Sequence, residues 1–288
     1  MNVWISCVKE LLCWRTDNMK KYVLPTLILL IFTSLIFMNI LFAQTPSPMN
    51  WDEEEENVTF ERPLELPKGD FNPHEKMIEA DNLYKRRKFS KARDIFEIIT
   101  YMSKGDTLVK RAQYQLANCY YNMHLYEDSI FEYEQLMRMF PYSQYNEDAN
   151  YKIGTAWFKL SYPPAYDQQE TINALRQFNH FIAQYPKSEL IDEVENMRIK
   201  CTNKLLEKKY LNAHIYYMMG YYNASLMYLN EIFDENITGE IEENSLELAA
   251  KIYIKKKNWD KLADIGEQFS SRYPEHPFIE KINAHITN

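Results

Sequence analysis

The side chains best suited to acid–base or metal chemistry are the six histidines, His74, His124, His180, His214, His276 and His285. They are scattered, and no two stand at metal-ligand spacing. That scatter predicts surface or internally satisfied imidazoles, His180 and His214 included. There is no G-x-S-x-G, no glycine-rich phosphate loop and no H-E-x-x-H. The sequence therefore predicts a chain that is not an enzyme, with no catalytic residue, no cofactor and no metal. Of the four cysteines, Cys7 and Cys13 precede an apolar run, while Cys119 and Cys201 fall in helical segments. Two thiols in the folded part do not make a disulfide scaffold, and both are expected as small half-buried side chains. The chemistry on offer is recognition. Tyr84-Lys85, Tyr121-Asn122, Phe158-Lys159 and Tyr217-Met218 recur in one frame, followed by Ile254-Lys255. A ladder of rings with interspersed lysines suits an extended or helical peptide, its side chains between rungs and a carboxylate near a lysine. Tyr84, Lys85, Tyr121, Asn122, Phe158, Lys159 and Tyr217 are the candidate groove residues. The competing use of the same rings is packing on neighbouring helices.

A repeat positions them. Small residues stand at Ala80, Ala117, Gly154, Ala213 and Ala250, each followed three later by Leu83, Tyr120, Trp157, Tyr216 and Tyr253. A turn aromatic comes next at Phe89, Tyr126, Tyr222 and Trp259, then a second small position at Ala92, Ser129, Ala174 and Ser225, with Leu262 departing from the pattern. The first small positions are 37 residues apart, except for 59 between Gly154 and Ala213. Small, aromatic, turn, small, aromatic, proline is the order of a tetratricopeptide repeat. The fold class is therefore all-α, a tetratricopeptide-repeat superhelix of about five helical hairpins in which first helices line the concave side.

The long interval has two parts. Extra residues lie in KLSYPPAYDQQETINAL, where Pro163-Pro164 must end one helix and Asp167 or Thr171 can cap the next. A second surplus follows Pro186. Glu189 to Met219 contains no proline or glycine, which predicts one long helix capped by Ser188 and linking repeats one to three with repeats four and five. The first repeat is expected to start near Pro73, with helices over His74–Arg86 and Ser90–Met102 and Ser90 as a cap. A Gly105-Asp106-Thr107 turn replaces its closing proline. A short helix over Phe278–Ile286 is expected to cap the stack.

Upstream, Met19-Lys20-Lys21 precedes an apolar run from Val23 to Phe42 that ends at Ala43. This reads as a secretory signal with cleavage after Ala43, or as a retained anchor, since the run is long enough to span a bilayer. No cysteine stands at its end to take a lipid. Residues 44–72 are proline-rich and acidic, Asp52 to Glu56 in a row, and predict a flexible tether. The expected divisions are 1–43 extension and signal, 44–72 tether, 73–188 repeats one to three, and 189–288 long helix, repeats four and five and cap. A net charge of −8 argues against a nucleic-acid partner.

The stretch SYPPAYDQQETINALRQFNHFIAQYPKSELIDEVENMRIKCTNKLLEKKYLNAHIYYMMGYYNAS resembles the BamD family of tetratricopeptide proteins in outer-membrane β-barrel assembly. The likeness rests on three features. The third-repeat insertion ends Asp167-Gln168-Gln169 before Thr171 and Ala174. Phe181 comes before Tyr185-Pro186-x-Ser188. The long helix carries Lys204-Leu205 and leads to Tyr216-Tyr217 and Gly220-x-Tyr222. The resemblance implies an exported, non-enzymatic scaffold at the periplasmic face of the outer membrane. It would bind the POTRA domains of a BamA-like protein through its C-terminal repeats and unfolded outer-membrane protein segments through its N-terminal ones. The family is usually lipidated, so the missing cysteine implies that membrane contact here is indirect. The alternative is another exported repeat adaptor, such as a Tol-Pal or peptidoglycan-associated envelope coordinator. That class should carry a coiled coil ahead of the repeats, and the tether has no heptads.

Overall fold

The computed structural model describes residues 71–103 and 107–286. The signal or anchor, the tether and the Gly105-Asp106 turn lie outside the described residues. Among the described residues there are eleven helices and no strand. They are α1 (Pro73–Lys85), α2 (Phe89–Met102), α3 (Leu108–Asn122), α4 (Tyr126–Met139), α5 (Asn146–Leu160) and α6 (Gln169–Gln184), followed by α7 (Ile191–Met218), α8 (Tyr222–Phe233), α9 (Glu240–Lys256), α10 (Trp259–Arg272) and α11 (Phe278–Ile286). Each helix packs on the next, and α1 with α3, α5 with α7 and α7 with α9 also touch. The fold is an all-α tetratricopeptide superhelix with one long linking helix.

Close approach within hairpins comes from the small residues. Ala80, Ala92, Ala117, Ala174, Ala213 and Ala250 are fully buried. Two hairpins add the same side-chain bond: Ser129 Oγ donates to the Ala117 carbonyl (3.1 Å) and Ser225 Oγ to the Ala213 carbonyl (2.7 Å). In the third hairpin Gly154 is required by contact, because a Cβ there would lie 2.6 Å from the Phe178 ring. Leu262 is buried despite breaking the small-residue pattern.

The hairpin turns share one device. The amides of Lys88, Leu125, Tyr221 and Asn258 donate back to the carbonyls of Leu83, Tyr120, Tyr216 and Tyr253. The residue before each donor, Arg87, His124, Gly220 or Lys257, has a positive φ between 52° and 81°. That is a Schellman ending, which satisfies carbonyls left over at the helix C-terminus. The third hairpin lacks it because the insertion intervenes.

The caps differ from expectation. Asn72 caps α1, its side chain accepting from the His74 amide, with Pro73 in the first helical position. Ser90 lies inside α2, and Lys88 holds the cap position without a side-chain bond. Ser188 Oγ accepts from the Leu190 amide (3.0 Å), but α7 starts only at Ile191, with Leu190 at its cap. Asp167 does accept from the Gln169 amide (3.2 Å), whereas Thr171 sits inside α6 and donates to Gln168 (2.8 Å). At α2 and α7 the serine with capping chemistry thus lies two residues from the cap position, not at it.

The long helix runs unbroken for 28 residues, about 42 Å at 1.5 Å per residue. Its first half contributes Val194 and Cys201 to a core with Ala174, Phe178 and Phe181 of α6. Its second half contributes Leu206 and Ala213 to the core of α8–α11. One rod thus serves two cores. The cysteines are more enclosed than expected: Cys119 and Cys201 are both fully buried and free. Burial pushes each thiol up to about 12, so both act as small apolar side chains.

Candidate functional site

Each rung of the ladder is half-buried at the C-terminal end of a first helix, and a side chain of the next first helix meets it. Asn122 Nδ2 donates to the Tyr84 hydroxyl (2.9 Å) and to the Asn118 carbonyl (2.7 Å). Lys152 Nζ lies 5.1 Å from the centre of the Tyr121 ring, whose hydroxyl donates to Thr155 Oγ1 (3.2 Å). Lys204 Nζ lies 5.3 Å from the centre of Phe158. Rings so placed bind a cation through their negative faces while keeping one edge open. Lys85 and Lys159 are exposed beside the first and third rungs. Burial pushes the Tyr84 phenol above its ordinary value, with lesser contributions from neighbouring charges.

Tyr84, Tyr121 and Phe158 therefore form one file across α1, α3, α5 and the first half of α7. Tyr217 stands apart. It is thirteen residues beyond Lys204 on the same helix, about 20 Å further along the rod. There it pairs with Tyr222 (centroids 5.9 Å apart) and with Lys255, whose Nζ lies 4.7 Å from the Tyr217 ring centre and 5.6 Å from that of Tyr222. The two phenol oxygens, Tyr217 first and then Tyr222, favour the charged ammonium and raise the Lys255 pKa. Beside this pair is a cavity of about 700 Å³ lined by Tyr216, Tyr221, Tyr222 and Lys256. Met218 and Met219 are 71% and 63% exposed next to it, and Tyr221 is 63% exposed. This makes a second, separate apolar surface at the α7–α8 turn.

The sequence reading missed another row of rings. Tyr114, Tyr151 and Tyr210 stand seven residues before Tyr121, Phe158 and Tyr217, on the same helix face two turns earlier. These meet carboxylates. The Tyr114 hydroxyl donates to Asp148 Oδ2 (2.5 Å), and its ring stacks on Tyr145 with centroids 4.6 Å apart. Tyr151 lies by Glu193, and burial together with that carboxylate raises its phenol. Tyr210 lies by the Lys251–Glu247 ion pair. Burial, then the bond to Asp148, pushes the Tyr114 phenol far up. Asp148 and Glu193 lie in the first turns of α5 and α7, and Lys85 and Lys159 in the last turns of α1 and α5, the order that helix dipoles favour. Two aromatics at i and i+7 would have revealed the second row.

The insertion Ser161–Gln168 is ordered by its own polar centre. Gln168 is 3% exposed, and its Nε2 donates to the carbonyls of Tyr162, Pro163, Tyr166 and Asp167 at 2.8 to 3.3 Å. The long helix holds the outside: Lys204 Nζ donates to Ser161 Oγ (2.6 Å) and Lys208 Nζ to the Tyr166 carbonyl (2.7 Å). Burial lowers the Lys204 pKa. Tyr162 and Tyr166 remain exposed at the rim beyond Phe158.

Among solved structures the chain is similar to a tetratricopeptide protein of Thermus thermophilus, at 14% identity, covering 75% of this chain and all of that one, with a TM-score of 0.34. It is similar as well to the TPR2AB domain of yeast Sti1 in its pHSP90 complex, at 11% identity, 75% and 97% coverage and a TM-score of 0.36. A tetratricopeptide protein of Parabacteroides merdae shows 12% identity, 75% and 99% coverage and a TM-score of 0.24. No curated protein sequence matches the chain. Residues 72–264, from the Asn72 cap to the middle of α10, match the family model YfiO, described as an outer membrane lipoprotein. No helix among the described residues is long and apolar enough to cross a membrane. Spanning both the ring-bearing groove and the long linking helix, that match makes the chain a member of the YfiO family of outer membrane lipoproteins, a BamD-like tetratricopeptide protein.

Proposed function

We propose that this protein is a non-enzymatic adaptor of outer-membrane β-barrel assembly, working at the periplasmic face of the outer membrane. The file Tyr84, Tyr121 and Phe158 receives unfolded outer-membrane protein segments. The repeats beyond the long helix dock the POTRA domains of a BamA-like protein, and membrane contact is indirect. One observation carries this reading: a family model of outer membrane lipoproteins covers the groove and the long helix in a single match. Two physical features support it. Three successive first helices present half-buried rings with one edge open, the form of an extended peptide site. A rigid 28-residue helix separates that site from a second apolar surface, so both can be occupied at once.

The test is affinity capture of the tagged full chain from envelope extract under mild detergent. Recovery of a POTRA-bearing barrel-assembly protein is expected. Recovery of Tol-type envelope proteins without it overturns the assignment. For the groove, Tyr84→Ala with Tyr121→Ala is expected to weaken binding of a C-terminal outer-membrane-protein peptide with helicity unchanged by circular dichroism. Unchanged affinity removes the rings from that role.

A further inference from the structure

The groove carries more positive charge than its packing needs. Lys85, Lys152, Lys159 and Lys204 flank the file of rings, and no carboxylate oxygen among the described residues lies within 4.0 Å of any of their Nζ atoms. Lys152 and Lys204 rest on ring faces instead. The nearby acids are not paired with these lysines: Asp148 accepts from the Tyr114 hydroxyl one row away, and Glu170 and Glu207 act on Lys204 without forming an ion pair. Cations outside any ion pair beside apolar faces are a matched site for carboxylates next to aromatic side chains, because each new ion pair forms where water is already partly excluded.

Resting on the peptide-groove reading above, we infer that the groove selects acidic extended segments, with carboxylates seated on the lysines and aromatic side chains between the rungs. The spacing is specific. Packed helices stand about 9 Å apart, and three residues of a polyproline II segment also advance about 9 Å and return to the same face. A segment with an acidic residue at every third position places one carboxylate per first helix. Lys204 also holds the insertion through Ser161, so seating a carboxylate there links groove occupancy to the tip bearing Tyr162 and Tyr166.

Fluorescence anisotropy with three labelled nonapeptides tests this: Asp-Phe-Ser, Asn-Phe-Ser and Lys-Phe-Ser, each repeated three times, against the full chain. The aspartate peptide is expected to bind about tenfold tighter than the asparagine peptide at low salt, as two or three partly exposed ion pairs would give. Most of that advantage is expected to vanish at 1 M salt, where the screening length is about 3 Å. Lys152→Gln with Lys159→Gln is expected to shrink the ratio of aspartate-peptide to asparagine-peptide affinity, and an unchanged ratio overturns the part given to these lysines. Equal binding of the aspartate and asparagine peptides overturns the charge selection and leaves the peptide groove standing. Failure of all three peptides to bind overturns the groove itself.

Discussion

The second and fifth hairpins each lock two helices together with a glutamate, and they do so in opposite ways. In the second, Glu132 of α4 accepts from Gln113 Nε2 of α3, which also donates to the Glu132 carbonyl (3.2 Å). No cation faces it, and its charged neighbours are the acids Glu97 and Asp128. In the fifth, Glu242 of α9, only 4% exposed, is paired with Arg272 of α10 and accepts from the Tyr273 hydroxyl (2.8 Å). Arg272 also donates to Asn236 Oδ1 (2.6 Å), and Tyr273 bonds the backbone of Gly239. Further contacts in the second, third and fifth hairpins follow suit. Asn118 accepts from Tyr133, and Asn150 accepts from Gln177 and donates to Gln184. Glu243 pairs with His276 instead. The groove half is thus pinned by amides within its second and third hairpins, with one ion pair, Arg111–Asp81 (2.6 Å), joining α3 to α1. The other half is pinned by ions already matched.

The largest effect expected from that contrast follows from Arg272→Ala. It strands a buried carboxylate, and losing one partner of such a pair costs about 3–5 kcal/mol. In a stack of repeats the loss should stay local. Hydrogen exchange is expected to rise in α8–α11 and stay unchanged in α1–α4. An equal rise in both regions would show that α7 couples the halves into one cooperative unit, and the comparison would collapse.

A smaller loss is expected at the seam. Gly154→Ala places a Cβ 2.6 Å from the fully buried Phe178 ring. Overpacking of that kind costs about 1–3 kcal/mol, and the gain in helix propensity returns about 1. A net loss of up to about 2 kcal/mol in urea denaturation is expected. A neutral result would mean that Phe178 has room to shift.

Below that stands a matched pair. Ser129→Ala and Ser225→Ala each remove one buried bond to a helix carbonyl, twelve residues back in both cases. Each should cost about 1 kcal/mol. Similar losses would show that the two halves differ in their pinning networks and not in their hairpin frame.

That frame was the legible part of the sequence. Alanines at 37-residue intervals and a proline-free run from Glu189 mark the hairpins and the long helix directly, because the spacing of small residues is a covalent fact that packing must obey. Cap positions were less legible. Ser90 and Ser188 have the right chemistry, but tertiary packing set where φ and ψ turn helical. The groove was legible only in part. The rungs Tyr84, Tyr121 and Phe158 announce themselves, but Tyr217 was placed in the same file because repeats were assumed to be in register. The extra length of α7 shifts it about 20 Å along the rod. The lower row, Tyr114, Tyr151 and Tyr210, went unread because its partners Asp148, Glu193 and Glu247 each lie one helix away in space and more than thirty residues away in sequence.

The smallest predicted effect is also the one most specific to the amide-pinned half. Burial, aided by Glu97 and Asp128 and opposed by the Gln113 bond, raises the Glu132 carboxyl from its ordinary 4.5 to about 6. Between those pH values the folded protein holds a proton that the unfolded chain has released. Its contribution to stability is therefore fully present below about 4.5 and lost as the pH rises through 6. Glu132→Gln keeps an acceptor for Gln113 and is neutral throughout. At pH 7 the variant should be the more stable protein, by a small shift in urea midpoint. That advantage should shrink as the pH falls, disappearing near 4.5, while other carboxylates change both proteins alike. An advantage constant across pH would mean that Glu132 binds its proton equally well in the folded and the unfolded chain, so that burial does not raise its carboxyl.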